Sequence, residues 1–93
     1  MKKEIKQMYA CHLRNQVTNS LNFELLLLAE YPELYKSSSV SLDQHCNNIV
    51  DTISNILNLD FADKIDDEII ELESQFEVSQ EIIKEALLST QLK

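Results

Sequence analysis

Hydrophobic residues in the first third of the chain recur at three- and four-residue spacing, which is the period of an amphipathic helix. The spacing predicts a first helix over about residues 3–31, with an apolar stripe formed by Ile5, Tyr9, Leu13, Val17, Leu21, Leu25 and Leu28. Polar residues between positions 18 and 22 have poor helix propensity. The sequence therefore leaves open whether this helix is continuous or kinked there.

The second half of this predicted helix is apolar on nearly all sides, because Phe23 is followed closely by four consecutive leucines at positions 25–28. Such a segment has to be covered from several directions, either by its own chain or by a second copy. We therefore predict a homodimer, with self-association through Phe23, Leu26 and Leu27.

A loop over about residues 32–41 should separate the first helix from the second, because Pro32 disfavours helix before it and three serines follow at positions 37–39. The motif Ser41-Leu42-Asp43-Gln44 predicts a capping box, which marks the start of a helix. Apolar residues at four- and three-residue spacing then predict a second helix over about residues 42–58, with a stripe of Leu42, Cys46, Ile49, Ile53 and Ile56.

Two further helices are predicted after Asp60. Asp60 can cap a helix over about residues 61–76, and Ser79 can cap another over about 80–90, with Val78 and Ile83 spaced as a hydrophobic staple. Together the four stripes predict an all-α fold, an antiparallel bundle of three to four helices with a long N-terminal helix.

The absence of glycine and the single proline support a helical chain. The length of 93 residues is that of one domain, which we expect over residues 1–93. The longest apolar run is far shorter than the roughly 18 residues that suggest a membrane span. The N-terminal lysines are not followed by an apolar segment and cleavage site, so no export signal is predicted. We therefore expect a soluble, cytoplasmic protein with reduced cysteines.

The chain carries a formal net charge of −8, and its acidic residues concentrate after residue 60. A field of this sign repels nucleic-acid phosphates and anionic membranes, which disfavours both as partners. The acidic segment instead predicts a surface for a basic protein partner, although it is also what a merely solvated helix face would show. The predicted partner-binding residues are Asp63, Asp66, Asp67, Glu71 and Glu73, together with the tyrosines Tyr31 and Tyr35.

Two Cys-His neighbours formally supply the ligand types of a zinc site: Cys11 with His12, and His45 with Cys46. Adjacent residues on a helix point about 100° apart, so such a pair aims poorly at one metal ion. These four are weak candidates, and we predict no metal and no other cofactor. No nucleophile has a recognisable orienting group or oxyanion loop, so we also predict that the protein is not an enzyme.

The segment 69–87 resembles a helix-turn-helix, with apolar residues at Leu72, Phe76, Val78, Ile83 and Leu87 and Val78-Ser79 as the turn. This resemblance covers about a fifth of the chain and implies DNA binding through the second helix. Glu73 and Glu77 depart from the small residue and the glycine of the motif. The glutamates Glu81 and Glu85 would also face phosphates on the recognition helix.

The sequence thus favours a small acidic, non-enzymatic interaction module that binds a protein partner and inhibits or regulates it, as immunity, anti-defence or regulatory proteins do. A self-associating structural homodimer is the first alternative. A DNA-binding regulator acting through residues 69–87 is the second.

Overall fold

A computed structural model describes residues 3–34 and 40–91, with side chains described up to residue 88. Three α-helices cover most of these residues: α1 (Lys3–Glu30), α2 (Leu42–Leu57) and α3 (Ile65–Gln91). A short 3-10 turn, Pro32–Leu34, follows α1. The described part of the chain contains no strand, so the predicted all-α fold is confirmed.

Helix α1 is continuous through its polar segment. Every residue from Lys3 to Glu30 is helical, one residue short of the predicted end. Ser20 lies in the middle of the polar segment and is buried at the contact with α3. Its hydroxyl bonds to Ser79 of α3, and α1 is not interrupted there. The backbone N–H of Tyr31 still donates to the Leu27 carbonyl at 2.8 Å, and Pro32 then opens the turn.

The predicted start of α2 is confirmed at Ser41. Its side-chain oxygen accepts a hydrogen bond from the backbone N–H of Gln44 at 3.1 Å, and α2 begins at the next residue, Leu42. The side-chain amide of Gln44 donates to Asn48 Oδ1 at 2.9 Å, further along α2. In a capping box the Gln44 side chain would instead accept a hydrogen bond from the backbone N–H of Ser41. Of the predicted loop, residues 35–39 lie outside the described part.

Helix α3 starts later than the sequence predicted. Residues 61–63 form a turn, and the helix begins at Ile65 instead of position 61. The turn places Phe61 in the core, where the Arg14 guanidinium lies 5.1 Å from its ring centroid. Gln7 donates to the Phe61 carbonyl at 3.3 Å. These contacts of Phe61 with α1 override the local capping signal of Asp60.

The predicted division into helices over 61–76 and 80–90 is wrong, because α3 continues without interruption through Val78 and Ser79. Ser79 does not cap a helix; it is buried in mid-helix, and its hydroxyl bonds to Ser20 of α1. Val78 is exposed, so no staple with Ile83 forms. The helix-turn-helix resemblance of residues 69–87 therefore does not correspond to a turn in the structure.

Helix α1 packs against both other helices, whereas α2 and α3 have few contacts with each other. Three polar contacts run in step along α1 and α3, which shows that these two helices point the same way: Lys6–Asp66, Tyr9–Glu73 and Ser20–Ser79. Helix α2, which lies between α1 and α3 in the chain, runs in the opposite direction. The buried core consists of Ala10, Leu13, Val17, Leu21, Leu28, Ile49, Ile56, Phe61, Ile65 and Leu72.

Candidate functional site

A groove with a volume of about 400 Å³ lies between α2 and α3, beside the turn that joins them. Both helices pack on α1 and have few contacts with each other, which leaves space between them. Its apolar lining consists of Ile56, Leu59 and Leu72. Ionisable and polar residues complete the lining: Lys64, Asp67, Glu68, Glu71, Thr52, Asn55 and Gln75.

The charge of this groove is predominantly negative, because three carboxylates of α3 and one lysine line it. One oxygen of Glu68, Oε2, is buried and has no hydrogen-bond partner among the described residues. A buried carboxylate oxygen without a donor is costly. The groove thus offers apolar contact area beside acceptors for a cation.

The acidic residues that the sequence grouped as one surface are divided between two sides of α3. Asp67 and Glu71 line the groove. Asp66 instead forms an ion pair with Lys6 of α1 at 2.9 Å, and Glu73 accepts a hydrogen bond from the Tyr9 hydroxyl at 3.5 Å. These two carboxylates serve the contact between helices, so the predicted set does not form one site.

The remaining predicted partner contacts lie apart from the groove. Asp63 is exposed in the turn before α3. Tyr31 is exposed just beyond the end of α1, whereas the groove lies beside the first half of that helix, as the Tyr9–Glu73 contact indicates. Tyr35 lies outside the described residues.

Sequence reasoning missed a buried polar cluster between α1 and α3. Glu24 is only 3% exposed and Ser79 only 1%. Gln80 Nε2 donates to Ser20 Oγ at 3.0 Å, and the oxygens of Ser20 and Ser79 are 2.6 Å apart. Burial raises the pKa of the Glu24 carboxyl, and a hydrogen bond with Ser79 partly offsets this.

The position of Glu24 in the helical repeat could have revealed its burial. Glu24 follows Ser20 by four residues and precedes Leu28 by four, so it lies on the same face of α1 as the buried stripe. The stripe predicted from the sequence contained apolar residues alone, so it left out Glu24. Because the two serine hydroxyls bond to each other inside the contact, this cluster holds the helices together.

No three of the four candidate metal ligands come together to hold a metal ion. Cys11 and Cys46 are free thiols, each partly buried and packed against the core, and Arg14 donates to Cys11 Sγ at 3.9 Å. His12 is exposed. Within residues 3–34 and 40–91, no group of three or more histidine, cysteine, aspartate or glutamate side chains is arranged to hold a metal ion.

The leucine-rich segment of α1 is covered on one side only. Leu28 is buried and Leu25 packs against the core, whereas Leu27 is half-buried. Phe23 and Leu26 remain exposed, the latter by 56%. Self-association through these residues stays a prediction, and the structure leaves both side chains accessible for it.

None of the described helices is long and apolar enough to cross a membrane. Comparisons of the chain with protein-family models, with curated proteins and with solved structures find no match.

Proposed function

We propose that this protein is a small, non-enzymatic interaction module, built on an antiparallel helical bundle, that binds a basic and apolar segment of a partner protein in the groove between α2 and α3. Occupying such a segment would inhibit or regulate the partner. The observation that carries the proposal is the combination of an apolar floor at Ile56, Leu59 and Leu72 with acidic side chains along the same groove.

The two kinds of side chain have different tasks in this proposal. Ile56 and Leu72 are already buried and Leu59 is half-buried, so the apolar floor adds a small area of apolar contact and a fitting shape. Asp67, Glu68 and Glu71 attract the basic segment and fix its position. The affinity should therefore fall as the salt concentration rises, without vanishing at high salt.

The groove also fits a single segment better than a broad protein surface. Its volume of about 400 Å³ accommodates a few side chains of a docked helix or extended strand. A cationic side chain in the groove would pair with the carboxylates that line it, Asp67, Glu68 and Glu71. Arginine or lysine next to a leucine or isoleucine is the recognition element expected.

A synthetic amphipathic helix of leucine and lysine is a suitable probe for this chemistry. The double variant Glu68→Lys/Glu71→Lys should weaken its binding at low salt by about tenfold or more, which corresponds to about 1.4 kcal/mol. The matched control is Glu77→Lys/Glu81→Lys, which changes the net charge equally at two exposed positions of the same helix. Calorimetric titration measures both affinities.

The control distinguishes binding in the groove from attraction by the net negative charge of the whole protein. Equal weakening in the two double variants would mean that only net charge matters, and the proposal would fail. Binding of a peptide in which glutamate replaces each lysine would contradict it as well. Circular dichroism of each variant verifies that the helices are retained.

A further inference from the structure

The outer face of α1, which borders α3 along its second half, carries exposed apolar side chains near both of its ends. Ile5 and Met8 lie near the start of the helix, and Phe23 and Leu26 lie near its end; Met8 is 73% exposed. Exposed polar residues separate the two apolar pairs: His12, Asn15, Gln16 and Asn19. Their three- and four-residue spacing places all eight on one helical face, which we call the outer stripe.

The outer stripe is symmetric about its own midpoint, which falls between Asn15 and Gln16. Ile5 lies as far before that point as Leu26 lies after it, and Met8 has the same relation to Phe23. Among the polar residues, His12 corresponds in this way to Asn19. A pattern of this kind is complementary to itself when a second helix lies alongside in the opposite direction.

We propose that two copies of the chain pair through their outer stripes, with the α1 helices antiparallel and the two-fold axis passing between Asn15 and Gln16. Met8 of one copy then packs near Phe23 of the other, and Ile5 packs near Leu26. Each apolar pair occurs twice, once at either end of the contact. The surface is separate from the groove between α2 and α3, so the two proposals stand independently.

The available area suits a second copy. From Ile5 to Leu26 the outer stripe is about 32 Å long at about 1.5 Å per residue; two stripes in contact over a width of about 10 Å bury roughly 640 Å² in total, which is the size of a weak, reversible contact. A contact of this size, with an apolar patch at each end, predicts a reversible dimer that dissociates on dilution.

Polar residues at the centre would set the register of the pair. In this arrangement His12 faces Asn19 of the other copy, and Asn15 faces Gln16. Amide and imidazole groups that meet inside a helix pair hydrogen-bond in one alignment only, whereas apolar side chains alone tolerate sliding. A shift of one helical turn would leave these groups unpaired and would bring apolar residues against polar ones.

Sedimentation equilibrium over a few to a few hundred micromolar tests the pairing. We expect the wild type to dimerise, and Met8→Glu and Phe23→Glu each to raise the dissociation constant by about tenfold or more, or about 1.4 kcal/mol. Val78→Glu is the matched control, since Val78 is an apolar residue of α3 whose exposure of 54% lies between those of Phe23 and Met8. It should leave the dimer intact. A monomeric wild type, or equal effects of all three substitutions, would overturn the proposal.

Disulfide cross-linking tests the antiparallel register by itself. In a Cys11→Ala/Cys46→Ala background, the pair His12→Cys/Asn19→Cys should oxidise to a covalent dimer, because the two positions face each other across the axis. Neither His12→Cys nor Asn19→Cys alone should cross-link, since identical positions lie about 10 Å apart along the helices. Efficient cross-linking of the single variants would indicate parallel helices and refute the arrangement.

Discussion

The hydroxyl oxygens of Ser20 and Ser79 lie 2.6 Å apart at the contact between α1 and α3. Gln80 donates to Ser20, and Ser79 is hydrogen-bonded to Glu24. With Glu24 ionised, Ser79 has to donate to the carboxylate, so Ser20 donates to Ser79. The result is a directed chain of hydrogen bonds from Gln80 to Glu24 that fixes the register of the two helices.

Removal of the Ser79 hydroxyl should destabilise the fold. Ser79→Ala leaves the buried Glu24 carboxylate without this donor, so the free energy of unfolding should fall by about 1–3 kcal/mol. Urea denaturation measures the change. Ser74→Ala is the control, an exposed serine of the same helix whose replacement should change stability by less than about 0.5 kcal/mol. Similar effects at both positions would show that the hydrogen-bond chain contributes nothing.

The buried carboxyl of Glu24 should make stability depend on pH. Burial raises its pKa above the ordinary value of 4.5, with the Ser79 hydrogen bond partly offsetting this, so the folded state binds the proton more tightly than the unfolded chain. Below about pH 4.5 the carboxyl is protonated in both states and its burial carries no charge penalty. As the pH rises from there, the contribution of Glu24 to stability falls, and it levels off above the folded pKa.

Glu24→Gln should therefore stabilise the protein at pH 7 relative to the wild type, and the advantage should shrink as the pH approaches 4. Thermal unfolding of both proteins across this range provides the comparison. Glu30→Gln, at an exposed position of the same helix, should show no such trend. A Glu24→Gln protein that is less stable than the wild type at pH 7 would contradict the buried, raised-pKa state of this carboxyl.

Amide hydrogen exchange distinguishes the continuous α3 from two shorter helices. The backbone amides of Val78, Ser79 and Gln80 lie within α3, so they should be protected to the same degree as those of Leu72 and Phe76. A turn at this point would expose them to solvent. Rapid exchange confined to positions 78–80 would contradict the continuous helix and support the two separate helices that the sequence predicted.

Local signals predicted α1 and the start of α2 correctly. The spacing of apolar residues along α1 and the serine at Ser41 act within one or two helical turns, so they can be read without knowledge of the rest of the fold. The same local reading failed at Ser79, whose partner Ser20 lies 59 positions away in the chain. A serine in front of an apolar stripe is indistinguishable from a cap until that partner is known.

The candidate site was predicted only in part for a similar reason. Charge alone identified Asp67 and Glu71, but it also included Asp66 and Glu73, which contact α1. It omitted Glu68, whose buried oxygen is the most distinctive feature of the groove. Which acidic residues share a groove depends on how α2 and α3 diverge, and no local pattern specifies that geometry.

The most direct test of the proposed function is to map the leucine-lysine peptide on the protein by NMR. Titration into ¹⁵N-labelled protein should shift the backbone signals of Ile56, Leu59, Glu68, Glu71 and Leu72, and should leave those of the outer stripe, such as His12 and Asn19, unchanged. Shifts concentrated on the outer stripe, or spread evenly over all acidic residues, would contradict binding in the groove between α2 and α3.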